Sequence, residues 1–294
     1  MSAGQPVKLD PTEETLLVPL FARAAESRRK RAILIDPKAA EMVASIPWDY
    51  ERFDQRQRRL AIILRNVMFD NWVRAFLGRH PEGTVVEVGT GLNTRFERVD
   101  NGRVHWFDLD LPGVIELRRR FFKDSERRTM LGASAVDSNW IETVRRSPPP
   151  YFFVAETVFV YLQEQEVKTA LARIAASFPD LSFALDTANH RALVRGNRDF
   201  VRRKMAARFA WACEHPQEIE NWNIGLRLVE SLALTDISGP LRSRLPATVR
   251  AGLVFVSKFP QITNAYRLNL FGASRSNPGL SESGQGTGIA SGSG

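Results

Sequence analysis

Residues 84–112 (TVVEVGTGLNTRFERVDNGRVHWFDLDLP) constrain the fold more than any other stretch of the chain. An apolar run around Val85 and Val88 meets Gly89-Thr90-Gly91. A second run, from Val104 to Phe107, closes on Asp108 and Asp110. Strand, glycine turn, short amphipathic segment and acid-tipped strand form the unit that holds a nucleotide-like cofactor over its glycines.

The flanking sequence alternates strand and helix periods. Before the unit, residues 13–42 place Leu16, Leu17, Leu20, Phe21 and Ala24 at helical steps, with a break at Asp36-Pro37. Residues 54–77 do the same with Leu60, Ile63, Leu64, Val67, Phe69 and Val73. After the unit, Pro112 opens a helix, and strands are expected over 129–135, 151–155 and 181–185, the last ending at Asp186. A helix is expected over 163–178 and a basic, aromatic-bearing helical segment over 191–214. Residues 226–237 read as a helix-to-strand passage, and 253–256 and 266–271 as two late strands. This alternation predicts an α/β fold, a doubly wound sheet with helices on both faces. Residues 1–80 are expected to form an N-terminal arm and helical cap, and 81–272 the cofactor-binding domain. Residues 273–294, rich in Gly and Ser, are expected to be disordered.

Composition excludes several classes. No apolar run approaches the ~18–20 residues of a membrane span, and the polar N-terminus lacks the apolar core of a signal peptide, so a cytoplasmic protein is expected. Cys213 stands alone, and His80, His105, His190 and His215 are scattered, so neither a disulfide framework nor a metal site is expected. The formal net charge of +8 gathers at Arg28 to Arg31, Arg56 to Arg59 and Arg118 to Lys123. No nucleic-acid-binding motif accompanies it. The clusters read as solvated helix faces, or as a field attracting a small anionic substrate.

The glycine turn carries the chemistry. A dinucleotide fingerprint wants a third glycine where this chain has Thr94. Glu87, two residues before Gly89, would repel a pyrophosphate but suits a cationic amino-acid group. Asp110, nineteen residues after Gly91, stands where an acid accepts both ribose hydroxyls. A ligand with adenosine at one end, a zwitterionic amino acid at the other and no phosphate fits this pattern, and S-adenosylmethionine (SAM) is such a ligand.

The segment VVEVGTGLNTRFERVDNGRVHWFDLDLPGVIELRRRFF resembles the leucine carboxyl methyltransferase family, in particular its bacterial polyketide O-methyltransferase branch. TLLVPLFARAAESRRKRAILIDPKAAEMV, AETVFVYLQEQEV and KMAARFAWACEHPQEIENW extend the resemblance over most of residues 13–272. It implies a Rossmann-like class I methyltransferase sheet, mostly parallel with one late antiparallel strand. It further implies SAM as cofactor and O-methyl transfer to a carboxylate or phenolate of a small molecule. By the same resemblance Arg65 holds the SAM carboxylate, Gly89 and Gly91 form the cofactor turn, and Asp110 binds the ribose. Glu156 lies near the SAM amino group and methyl donor, and Tyr161 faces the substrate. Ser134 or Asp137 meets the adenine, and Arg23 or Arg28 meets the acceptor. The chain departs from the family at Asn93, where an aspartate is usual, and at Thr157, where a glycine is usual. A neutral hydroxyl or amine acceptor would need a base, for which His190 is the candidate. An RNA-directed enzyme and a SAM-binding regulator without turnover are the other readings. Trp211 and Trp222 are open between pocket wall and core, and Cys213 reads as a small buried hydrophobe.

Overall fold

The computed structural model describes residues 14–50, 56–237 and 239–274. Within them α1 (Glu14–Ser27), α2 (Pro37–Ser45) and α3 (Arg56–Arg79) precede β1 (Thr84–Val88), α4 (Arg95–Val99) and β2 (His105–Asp110). Then come α5 (Pro112–Arg119), β3 (Arg128–Gly132), α6 (Ile141–Arg145), β4 (Tyr151–Ala155), α7 (Glu164–Ser177), β5 (Ser182–Ala188) and α8 (His190–Arg202). The chain closes with α9 (Glu218–Asn221), β6 (Leu226–Ala233), α10 (Gly239–Arg244), α11 (Ala247–Ser257), α12 (Pro260–Thr263) and β7 (Tyr266–Ala273).

The seven strands form one sheet in the order β3-β2-β1-β4-β5-β7-β6. β1 pairs in parallel with both β2 and β4, so the strand order reverses beside it, and the crevice at its C-terminal end is where such sheets bind ligands. β7 runs antiparallel between β5 and β6, as the resemblance implied.

Side chains of the central strands alternate between two apolar layers. Val86, Val88 and Phe153 face a cluster completed by Leu171 and Ile174 of α7 and by Phe178. Val85, Trp106, Phe152 and Val154 face Ile63, Phe69, Val73 and Phe76 of α3. Glu87 and Glu156 continue the second set in alternation, so both carboxylates turn toward α3. Leu17 and Leu20 of α1 pack with Met42 of α2 against Leu92, Ile115 and Met130 beside the glycine turn. The Asp36-Pro37 break is an N-cap: Asp36 accepts from the Ala39 amide at 2.9 Å, and Pro37 fills the first helical position.

Three sequence expectations change. The run at 253–256 (LVFV) lies inside α11 rather than in a strand. Short β-branched runs do not distinguish the two states, and the open side of β5 is taken by β7 and β6. Residues 226–233 are strand throughout, without a preceding helical passage. The helix expected over 191–214 ends at Arg202, where Lys204 takes a positive φ of 55° and the chain turns back. Of the expected tail, Ala273 belongs to β7; residues 275–294 lie outside the described residues, as do 1–13. No helix among the described residues is long and apolar enough to cross a membrane.

Candidate active site

The turn after β1 holds two glycines in the left-handed region, Gly89 at φ 62° and Gly91 at φ 50°. A Cβ on Gly89 would sit 2.4 Å from Cγ2 of Val158, and one on Gly91 2.9 Å from Cδ2 of Leu16. The turn is therefore backbone packed closely against Val158 and Leu16, in a conformation and with a clearance that only glycine meets. Asp110 reaches it from the tip of β2: its carboxylate accepts the Gly91 amide at 2.7 Å and the Leu111 amide at 2.8 Å. Burial nevertheless pushes the Asp110 carboxyl up to about 6.

Beneath the turn lies a buried ionic network centred on Arg95. Its Nε donates to Asp70 at 2.9 Å, and its two terminal nitrogens donate to Glu87 and Glu156. Its side chain is 0% exposed. Arg65 and Asn66 of α3 also donate to Glu156, at 2.6 and 2.8 Å. Arg98 holds Asp70 at 2.7 Å. Asn93, the departure from the family aspartate, donates its amide to Glu87 at 2.8 Å and accepts from the Thr94 amide at 2.8 Å. A carboxylate at 93 would instead face Glu87 as a like charge. Burial alone would raise the Glu156 carboxyl, but Arg65 and Arg95 hold it below its ordinary value. For Glu87 burial wins against Arg95, with Asp108 adding to it, and pushes the carboxyl up to about 7. Its Oε2 is buried and has no hydrogen-bond partner among the described residues.

A cavity of about 320 Å³ opens over this floor. Arg65, Glu87, Gly89, Gly91, Glu156 and Tyr161 all line it, together with Arg23. Arg23 is spent on Asp36 at 2.9 Å and the Leu92 carbonyl at 2.7 Å, which fastens α1 to the turn. Thr157, a β-branched residue at φ 58°, is held there by Asp186, which accepts its amide at 2.8 Å and its hydroxyl at 3.1 Å. Burial pushes the Tyr161 hydroxyl up to about 12, so at neutral pH it stays a proton donor.

Other expected residues lie elsewhere. His190 is exposed at the first position of α8 and outside the cavity lining; the part of α8 that lines the cavity lies further along, at Gly196, Asp199 and Phe200. Ser134 and Asp137 face each other in the loop after β3, where the Ser134 amide donates to Asp137 at 3.3 Å; neither lines the cavity. Arg28 is exposed and does not reach the cavity. Trp211 is core, against Trp222 at 6.0 Å, and burial pushes the Cys213 thiol up to about 12, which leaves it inert. Among residues not singled out beforehand, Arg95 organises the floor, while Arg58, Asp199, Phe200, Met205 and Phe209 form the outer wall. Arg58 lay inside an arginine cluster read either as a solvated face or as part of a field attracting a small anionic substrate.

The sequence profile of the leucine carboxyl methyltransferase family matches residues 17–175. The chain belongs to that family. It is 32% identical over 267 residues to the tetracenomycin polyketide synthesis O-methyltransferase TcmP of Streptomyces glaucescens, covering 90% of this chain and 98% of the relative. It is 27% identical to the S-adenosyl-L-methionine-dependent methyltransferase dpfgK of Gibberella zeae, over 77% of this chain and 83% of that one. Among solved structures, a DUF574 family protein from Streptomyces avermitilis superposes with a TM-score of 0.55 at 15% identity. It covers 78% of this chain and 91% of that one, a likeness of fold. This methyltransferase is thus a SAM-dependent O-methyltransferase.

The residues present fit the cofactor. The unpartnered Glu87 Oε2 suits a cationic amino group, and Gly89 and Gly91 line the cavity beside it; Asp110 bonds the Gly91 amide from behind the turn without lining the cavity itself. One consequence is testable on the free enzyme. Glu87 and Asp110 titrate at about 7 and 6, raised from ordinary values of 4.5 and 3.8. Above pH 4.5 the folded state therefore binds more protons than the unfolded one, and stability falls as pH rises toward 7. Asp70, Asp108 and Glu156, all lowered, act only at more acidic pH. Urea unfolding between pH 5 and 7.5 should show stability falling on the order of 1 kcal/mol per pH unit, flattened in Glu87→Gln. An equal slope in that variant would remove Glu87 as its source.

Proposed function

We propose that this enzyme of the cytoplasm methylates a carboxylate or phenolate oxygen of a small molecule in polyketide-type metabolism. The supporting observation is the cavity itself. Its inner end carries the glycine turn and Glu87, and its outer end carries Phe200, Phe209, Tyr161 and Arg58, with no histidine between. When bound, SAM supplies an activated methyl on a sulfonium. Arg65 would hold the carboxylate of its amino-acid end, Glu87 the amino group and Asp110 the ribose. The protein's work is to align the acceptor oxygen with the methyl and exclude water. An ionised carboxylate needs no base. Tyr161 donates a hydrogen bond rather than removing a proton. On this reading residues 1–80 cap the 81–272 domain. The contact of Leu16 with the turn at Gly91 and the tie of Arg23 to Leu92 support that division.

Mass spectrometry after incubation with SAM and a panel of aromatic acids, phenols, amines and RNA tests the acceptor. A gain of one methyl on an acid or phenol is expected, and transfer only to amines or RNA would overturn it. Asp110→Ala should weaken SAM binding by about 1–3 kcal/mol through the lost ribose hydrogen bonds. Unchanged affinity by calorimetry would remove Asp110 from the cofactor site.

A further inference from the structure

The outer wall of the cavity carries a charge arrangement that the cofactor does not use. Arg58, in the first turn of α3, forms an ion pair with Asp199 of α8, and both side chains line the cavity. The pair thus joins the two walls between which an acceptor must enter. Asp199 is held by two further guanidiniums, Arg203 at 3.2 Å and Arg202 at 3.7 Å. Arg195, one helical turn before Asp199, also acts on Arg58. Among the described residues, three arginines, Arg58, Arg202 and Arg203, pair with the one carboxylate of Asp199. Beside the cluster the lining turns aromatic and apolar, at Phe200, Met205 and Phe209, with the Phe209 ring 5.1 Å from that of Tyr161.

We propose that Arg58 is the specificity-determining residue for the acceptor, binding an anionic group carried on an aromatic body, and that Asp199 competes with that anion for Arg58. An arginine already seated on a carboxylate inside a cavity has the fork geometry a second carboxylate needs. The surplus of positive charge lets an acid enter without burying net negative charge. A neutral acceptor gains nothing from the cluster and must compete with the ion pair for space. The inference rests on the cavity being the methyl-acceptor site.

The test compares 2-naphthoate with 2-naphthamide, isosteric probes that differ in charge, by calorimetry on enzyme saturated with S-adenosylhomocysteine. The wild-type enzyme should bind the acid more tightly than the amide. Arg58→Gln should weaken the acid by roughly tenfold, the scale of a hydrogen bond to a charged group, and leave the amide within about twofold. Asp199→Asn should act in the opposite direction and tighten the acid. Wild type binding both probes equally, or both variants weakening acid and amide alike, would overturn the proposal; the second result would mark the pair as a structural strut. S-adenosylhomocysteine affinity is read in the same titrations. If it persists while acid selectivity is absent, the acceptor inference fails and the methyltransferase reading stands. If it is lost in the wild type, the cofactor assignment fails first.

Discussion

Replacing Arg95 with methionine should cost about 3–5 kcal/mol of folding stability, the range for breaking a buried charge network by removing one partner. Arg95 is wholly buried and bonds Asp70, Glu87 and Glu156 at once. The three carboxylates are not equally exposed to its loss. Asp70 keeps Arg98, and Glu156 keeps Arg65 and Asn66. Among the described residues, Glu87 keeps only the Asn93 amide, and its Oε2 is already without a partner. The deficit should therefore concentrate on Glu87, which escapes it by taking a proton. Urea unfolding should show a smaller loss at pH 5 than at pH 8. Adding Glu87→Gln to Arg95→Met should recover part of it, a non-additivity expected of groups in contact. A loss under about 1 kcal/mol would show that the network is screened by solvent, and a loss equal at both pH values would show that the deficit does not fall on Glu87.

That network marks the limit of what the sequence could show. The glycine turn, the acid at the tip of β2 and the alternation of elements were legible, because periodicity and turn chemistry are local signals. The six cavity residues Arg65, Glu87, Gly89, Gly91, Glu156 and Tyr161 followed from the strand tips or from the resemblance. Arg95 stood inside the stretch that carries the resemblance, but with no role attached to it. An arginine next to a turn reads as exposed, and only the depth to which α4 sinks behind Glu87 makes it a hub. Arg58 was hidden for a related reason. Its neighbours Arg56 and Gln57 are exposed, while one more step around α3 turns the side chain into the cavity. The helical run at 253–256 failed differently. No residue of α11 is fully buried, so burial leaves no imprint that would separate helix from strand period there. Thr157 was visible only as a departure from family glycine. The structure shows what allows it: Asp186 ties down both its amide and its hydroxyl, so a backbone conformation costing roughly 1–3 kcal/mol persists beside Glu156.

The glycine turn supplies the second large effect. Gly89→Ala should destabilise the fold by about 2–4 kcal/mol and weaken S-adenosylhomocysteine at least about tenfold, because two penalties act at one atom. The first is conformational: at φ 62° an L-residue meets its own carbonyl, a cost of roughly 1–2 kcal/mol. The second is steric: the new Cβ falls 2.4 Å from Cγ2 and 3.0 Å from Cγ1 of Val158, which itself packs against the buried core. These penalties separate in a double mutant. Val158→Ala removes both methyl groups and leaves only Cβ, at 3.2 Å, facing position 89. It should cost about 1–2 kcal/mol in the wild-type background by lost burial and close to nothing in the Gly89→Ala background, where it relieves the clash. The destabilisation of the pair, less the cost of Val158→Ala in the wild-type background, then measures the φ penalty. Cofactor affinity should recover only in part, since an alanine at φ 62° still strains the backbone that the ligand meets. Additive losses from the two single substitutions would show that the turn yields freely, and that its glycines serve chain reversal rather than the close approach of a bound molecule.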